Sequence, residues 1–152
     1  MAFELQAILT PTSIGRIDHF LDDLNGNQAL QYNLEILDQF GDVMAMRFGD
    51  EVPYLTAQQI TQLKAFMGAR KSALPTDLSF AAGHTVGRCT WRFRDVTGAR
   101  SLYARVIELD AGGQLVTVHQ FNDQPNLSGA QITAALAFLD DQRTKAVAEI
   151  LP

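Results

Sequence analysis

The chain has 152 residues, 47% of them apolar and 19% charged, a composition that supports one packed core and excludes wholesale disorder. Lys and Arg number 12 against 17 Asp and Glu, a net charge of −5, which argues against a surface that binds nucleic acid all over. The lone cysteine, Cys89, excludes a disulfide framework and a multi-cysteine zinc site, and no apolar run approaches the roughly 18 to 20 residues of a membrane span.

In chain order, residues 3–9 read as an early strand. Apolar and polar residues then alternate over 16–23, the period of a half-buried strand, and the run stops at Asn25-Gly26. Asn-Gly is the strongest short hairpin signal, because both residues tolerate positive φ. Residues 29–37 form the next predicted strand, 38–42 a turn and 43–48 a third strand. Thr56-Ala57-Gln58-Gln59 is a capping box, with Leu55 and Ile60 placed as a hydrophobic staple. Ile60, Leu63, Phe66, Met67 and Leu74 form the apolar stripe of the helix it opens.

The second half follows the same plan. Residues 78–81 are a weaker early strand, and 86–96, 102–109 and 115–121 are three more, with turns at Gly98 and Gly112-Gly113. Ser128-Gly129-Ala130-Gln131 is another capping box, stapled by Leu127 and Ile132. Ile132, Ala135, Leu136, Leu139, Val147 and Ile150 make its stripe, with Phe138 at the edge. Each helix is expected to run about 18 residues, or roughly 27 Å.

Sliding the chain over itself by 72 positions explains the likeness. Ser13-Ile14-Gly15-Arg16 falls on Thr85-Val86-Gly87-Arg88, Gln59-Ile60-Thr61 on Gln131-Ile132-Thr133, Ala65-Phe66 on Ala137-Phe138 and Pro53 on Pro125. Residues 13–74 give 15 identities in 62 positions without a gap. Ordinary composition would give about four. The expected fold class is therefore α+β: a tandem duplication of a β-meander-plus-helix unit (βββα, or ββββα if the early strands form). The two repeats, 1–74 and 75–152, would make a single compact domain, an intramolecular pseudo-dimer with antiparallel sheet or sheets covered by two helices.

Candidate chemistry is sparse. His19, His84 and His119 have no metal-ligand spacing, and no metal or cofactor is expected. His19 aligns with Trp91, which marks a packing position. His119 aligns with Arg47, which marks a polar tip, and His84 follows Ala81-Ala82-Gly83 in an expected loop. Cys89 alternates with Trp91 and Phe93 on an apolar strand face, the setting of a buried small hydrophobe. Carboxylates pair at Asp22-Asp23, on a strand whose adjacent residues point to opposite faces, at Asp50-Glu51, in a strand-to-helix turn before Pro53, and at Asp140-Asp141, on a helix. Gly83 to Gly87 lacks the Lys-Ser/Thr of a phosphate-binding loop. With no catalytic constellation, the chain reads as non-enzymatic.

Charge is distributed unevenly. Arg88, Arg92 and Arg94 share one strand face, and Arg100, Tyr103 and Arg105 follow on the next strand, an interaction face of positive sign. The matching region of the first repeat carries Asp18, Asp22 and Asp23, a complementary acidic face. Opposite faces on the two repeats suggest a structural or protein–protein interaction module that self-associates head to tail, such as a phage or virion accessory component. Two alternatives stand beside it: single-stranded nucleic-acid or polyanion binding through the Arg/aromatic face, and small-ligand binding between the repeats. Met1-Ala2-Phe3-Glu4 lacks the basic start of a secretory signal, so the expected setting is cytoplasmic or within a virion, without a membrane partner.

Overall fold

The computed structural model describes residues 8–49 and 54–152. Its elements are β1 (Ser13–Leu24), β2 (Asn27–Leu37), β3 (Val43–Gly49), α1 (Ala57–Asp77), β4 (Thr85–Val96), β5 (Ala99–Leu109), β6 (Leu115–Asn122), a 3-10 turn (Gln124–Asn126) and α2 (Gly129–Ile150). The six strands form one antiparallel sheet in the order β3-β2-β1-β4-β5-β6, so the fold is α+β, with β1 and β4 joined at the centre. No described helix is long and apolar enough to cross a membrane.

Local chemistry explains these elements. Both inner hairpins turn on two consecutive positive-φ residues, Asn25-Gly26 and Thr97-Gly98. This geometry matches the twist of the flanking strands. The β1–β2 ladder slips register between Ile14 and Ile17, and β4–β5 slips between Val86 and Cys89. Gly87 occupies the second slip because a Cβ there would stand 2.9 Å from Leu109 Cδ1. Both capping boxes form as expected, with the Thr56 and Ser128 hydroxyls accepting the Gln59 and Gln131 amides at 3.1 Å.

The helices cover one face of the sheet, the face carrying Leu21, Cys89, Trp91, Phe93 and Leu102. Leu63, Met67 and Leu74 of α1 and Ala135, Phe138 and Leu139 of α2 complete that core. A smaller cluster joins Ala146 of α2 to Ile14, Ile17, Leu34 and Ile36. Buried ion pairs fix where each helix lies. Arg70 of α1 bonds both oxygens of Asp123, at the end of β6, at 2.7 and 2.9 Å, and Trp91 Nε1 donates to the same carboxylate. Arg143 of α2 bonds Asp95 of β4 and the carbonyls of Ile14 and Gly15 on β1. Arg70 thus ties α1 to the end of β6 and Arg143 ties α2 to β1, while Lys71 also holds α1 to Asp23 of β1 and Asp95 also holds Arg143 to β4.

Several expectations change. Residues 78–81 are not a strand: they leave α1 through a turn, with Ser79 at positive φ and Phe80 N–H bonding Pro75 O. Ile8 and Leu9 are also outside any strand, and the rest of the early strand expected over 3–9, like Asp50, Glu51 and Pro53, lies outside the described residues. The helices run 21 and 22 residues, longer than expected, with Pro75 accommodated in the last turn of α1. On α2 the buried stripe passes through Phe138, Gln142 and Ala146, while Val147 is exposed. The inward face shifts because Arg143 must reach the β1 bulge.

Asp123→Ala leaves the Trp91 N–H without its buried acceptor and the Arg70 guanidinium with only the partly exposed Asp77, 2.8 Å away. Urea titration is expected to show a loss of about 3 to 5 kcal/mol, against about 1 kcal/mol for the cap variant Thr56→Ala. Equal losses would refute the buried-charge account.

Candidate functional site

No described helix covers the other face of the sheet, and its register sets the candidate residues in rows across the strands. Phe20 of β1 faces Arg92 of β4, Arg92 faces Tyr103 of β5, and Tyr103 faces Asn122 of β6. In the row on one side of it Asp22, Thr90, Arg105 and Gln120 follow one another, and in the row on the other side Asp18, Arg94 and Ser101. Side chains at directly opposed positions touch, so each row is a line of contact.

That register settles most of the charge. Arg94 Nε lies 2.7 Å from Asp18 Oδ1, and Arg16 adds a second cation to the same buried carboxylate. Arg88 Nε lies 2.8 Å from Asp22 Oδ1, which also accepts from Thr90 at 2.7 Å. The acidic and basic faces are adjacent strands of one face, paired within the chain. Asp23 departs from them: it points to the helix side and bonds Lys71 at 2.8 Å. Arg100 departs too, pairing with Asp95 and Asp140 of α2.

Two arginines remain. Among the described residues, neither Arg92 nor Arg105 makes an ion pair or a hydrogen bond with a carboxylate. The Arg92 guanidinium stands 5.3 Å from the Tyr103 ring centre, a cation–π contact, and its Nε has no hydrogen-bond partner. Arg105 and Tyr103 are exposed. Together with Phe20, Arg88 and Gln120 they line a concavity of about 600 Å³. Phe20 was the residue that sequence reasoning left out of the site. Its signal was a single aromatic among Arg16, Asp18 and Asp22 on the outward face of β1.

A second concavity, about 570 Å³, lies between the helices, with Phe66, Phe93 and Phe138 and several alanines in its walls and Gln59, Gln62 and Gln131 beside them. It offers apolar surface and amide groups but no charge.

Glu108 bridges two histidines, with His84 Nδ1 at 2.6 Å and His119 Nε2 at 2.8 Å, and Phe80 stacks on the His119 ring. The bonds to His84 and then His119 hold its carboxyl below the usual glutamate range. Cys89 is fully buried and burial pushes its thiol up to about 12, so no thiolate nucleophile forms at neutral pH. No group of described side chains could hold a metal ion. His19 is buried against Phe138, with ring centres 4.9 Å apart and both nitrogens unpartnered.

No family model, no curated protein and no solved structure matches the chain.

Burial holds the His19 imidazole down at about 4, against the pull of Asp18 and Asp95. Below pH 6.5 the unfolded chain therefore takes up a proton that the native chain refuses until about pH 4. Stability is expected to fall across that window, by a contribution of order 3 kcal/mol from this residue. Urea midpoints measured between pH 7 and 4.5 should fall more steeply for the parent than for His19→Leu; parallel slopes would rule out the effect.

Proposed function

We propose that the chain is a non-enzymatic binding module whose uncovered sheet face takes an anionic polymer. The observation that carries this reading is the pair Arg92 and Arg105. They line a concavity beside two aromatic rings and lack carboxylate partners among the described residues. Pairing within the chain occupies the other cations, so the head-to-tail charge contact expected between chains loses its free acidic face. Five arginines (16, 88, 92, 94 and 105) and three carboxylates (Asp18, Asp22 and Glu35) share this face, which is locally positive although the chain is acidic overall.

The double variant Arg92→Glu, Arg105→Glu tests it. Fluorescence titration with a short inorganic polyphosphate at low salt is expected to show binding by the parent that weakens as salt rises. The variant should lose at least tenfold in affinity. No binding by the parent at low salt would end the proposal.

We further propose that the domain arose by tandem duplication and is built as an intramolecular pseudo-dimer of units 1–74 and 75–152. Support comes from the pairings, in which partners on β1–β2 and β2–β3 recur on β4–β5 and β5–β6 at positions 72 further on, slips included. Phe20 and Arg92, themselves 72 apart, face each other at the centre of the sheet.

A second functional reading, self-association into a larger assembly such as a virion component, is favoured by the sheet edges. Val43, Met46 and Phe48 on β3 and Leu115 and Val116 on β6 are exposed apolar residues on unpaired edge strands. On this reading light scattering after size exclusion shows a discrete oligomer that resists salt and that Phe48→Lys reduces. A monomer at every concentration would exclude it.

A further inference from the structure

We infer that the polymer bound on the open face is a single strand of nucleic acid, lying across the strands along the row Phe20–Arg92–Tyr103–Asn122. The inference rests on the anion-binding reading above and adds a demand that a plain polyanion does not meet: the two rings must be used.

The row supplies the parts such a strand requires. Neighbouring strands stand about 4.8 Å apart, which puts Phe20 and Tyr103 roughly 10 Å apart with Arg92 between them. Phe20 is half-buried, Tyr103 is 43% exposed, and both belong to the wall of the concavity. Nucleotide bases stack on aromatic faces and on guanidinium planes, and the Arg92 guanidinium, 5.3 Å from the Tyr103 ring centre, adds a cationic surface between the two rings. Phosphates then meet Arg105, one row over, and the guanidinium end of Arg92, both in the wall of the concavity. Arg88, exposed and beside the same concavity, supplies a third cation although it also holds Asp22. At the β6 end the exposed Gln120 amide presents a donor and an acceptor, and the exposed Asn122 amide, whose oxygen accepts from Gln124 N–H, presents its NH2.

A duplex fits less well. Its base faces are stacked inside, so only the arginines would engage it, and three cations give weak binding. A sulfated sugar or polyphosphate likewise has no face to stack. The rings therefore distinguish the single strand from every other anionic polymer.

The test uses the full chain, fluorescence anisotropy and three probes: a single-stranded oligodeoxynucleotide, its duplex, and inorganic polyphosphate. Phe20→Leu and Tyr103→Leu remove the π faces while keeping apolar bulk, and circular dichroism checks that each remains folded. The single strand is expected to bind at least tenfold tighter than the duplex. Each leucine variant should lose on the order of tenfold for the single strand and keep its affinity for polyphosphate. The log–log salt slope for the single strand should lie near −2, from roughly −0.7 for each of three phosphates neutralised.

Equal affinity for single strand and duplex would overturn the inference, as would leucine variants that bind the single strand as the parent does. If polyphosphate binding and its dependence on Arg92 and Arg105 survive in that case, the anion-binding reading stands alone. If the parent binds none of the three probes at low salt, both fall.

Discussion

The antiparallel pairing of β1 with β4 is the constraint on which the rest of the structure depends. It joins two three-stranded meanders into one sheet, and it does so in a register that faces Asp18 with Arg94 and Phe20 with Arg92. A one-residue slip would turn every outward side chain of one strand toward the helices. The present register is held on both faces at once. On the helix side Leu21 meets Trp91 and His19 meets Phe93, while outside the carboxylates of β1 lie against the guanidiniums of β4. Most of the charge contrast between the halves is spent in making this seam. The two cations left over, Arg92 and Arg105, sit on the β4–β5 side, where Tyr103 stands opposite Arg92 and Thr90 opposite Arg105 rather than acids.

Much of the fold was legible in the sequence because its signals are local. Asn25-Gly26, the two capping boxes and the strict alternation of Cys89, Trp91 and Phe93 each report on a few neighbouring residues, and each appears where expected. The outward placement of Arg88, Arg92 and Arg94 was legible for the same reason, since a strand side chain has only two faces. What did not read was anything set by a partner far along the chain. Arg70 and Asp123 look like ordinary surface residues in isolation, yet they form the buried pair that seats α1. Arg143 pulls α2 toward the β1 bulge and so turns Phe138 inward and Val147 outward. The pairing of Asp18 with Arg94 depends on which strands meet at the centre, and hydrophobic period carries no information about that. Phe20 stayed out of the candidate site because its neighbours in sequence are acidic, whereas its neighbours in space are Arg92 and the wall around Tyr103.

Polar groups inside this protein are consistently tied to chain geometry. Asp123 serves Arg70, Trp91 and Asn126 at the point where β6 ends and turns toward α2. Asp95 serves Arg143 from its side chain and backbone while also capping the Gly98 turn. Glu108 gathers the loop histidine His84 and the strand histidine His119 around one carboxylate. These three buried acids therefore hold together segments far apart in sequence, whereas buried Asp38 closes its own turn by accepting from Phe40 and Asp42 N–H. His19 differs from them: its ring nitrogens have no hydrogen-bond partner, and Phe138 packs against the ring.

The crossed seating of the helices bears on how the chain is held together as a material object. The β1–α1 segment and the β4–α2 segment are linked covalently only through residues 78–84, of which Ala81, Ala82 and Gly83 are exposed. Yet Arg70 ties the first segment to the end of β6, and Arg143 ties the second to β1. Each segment holds its partner's strands with its own helix, like two hands clasped at the wrists. A single cut in that short loop is expected to leave two pieces still joined by these bonds and by the central β1–β4 ladder.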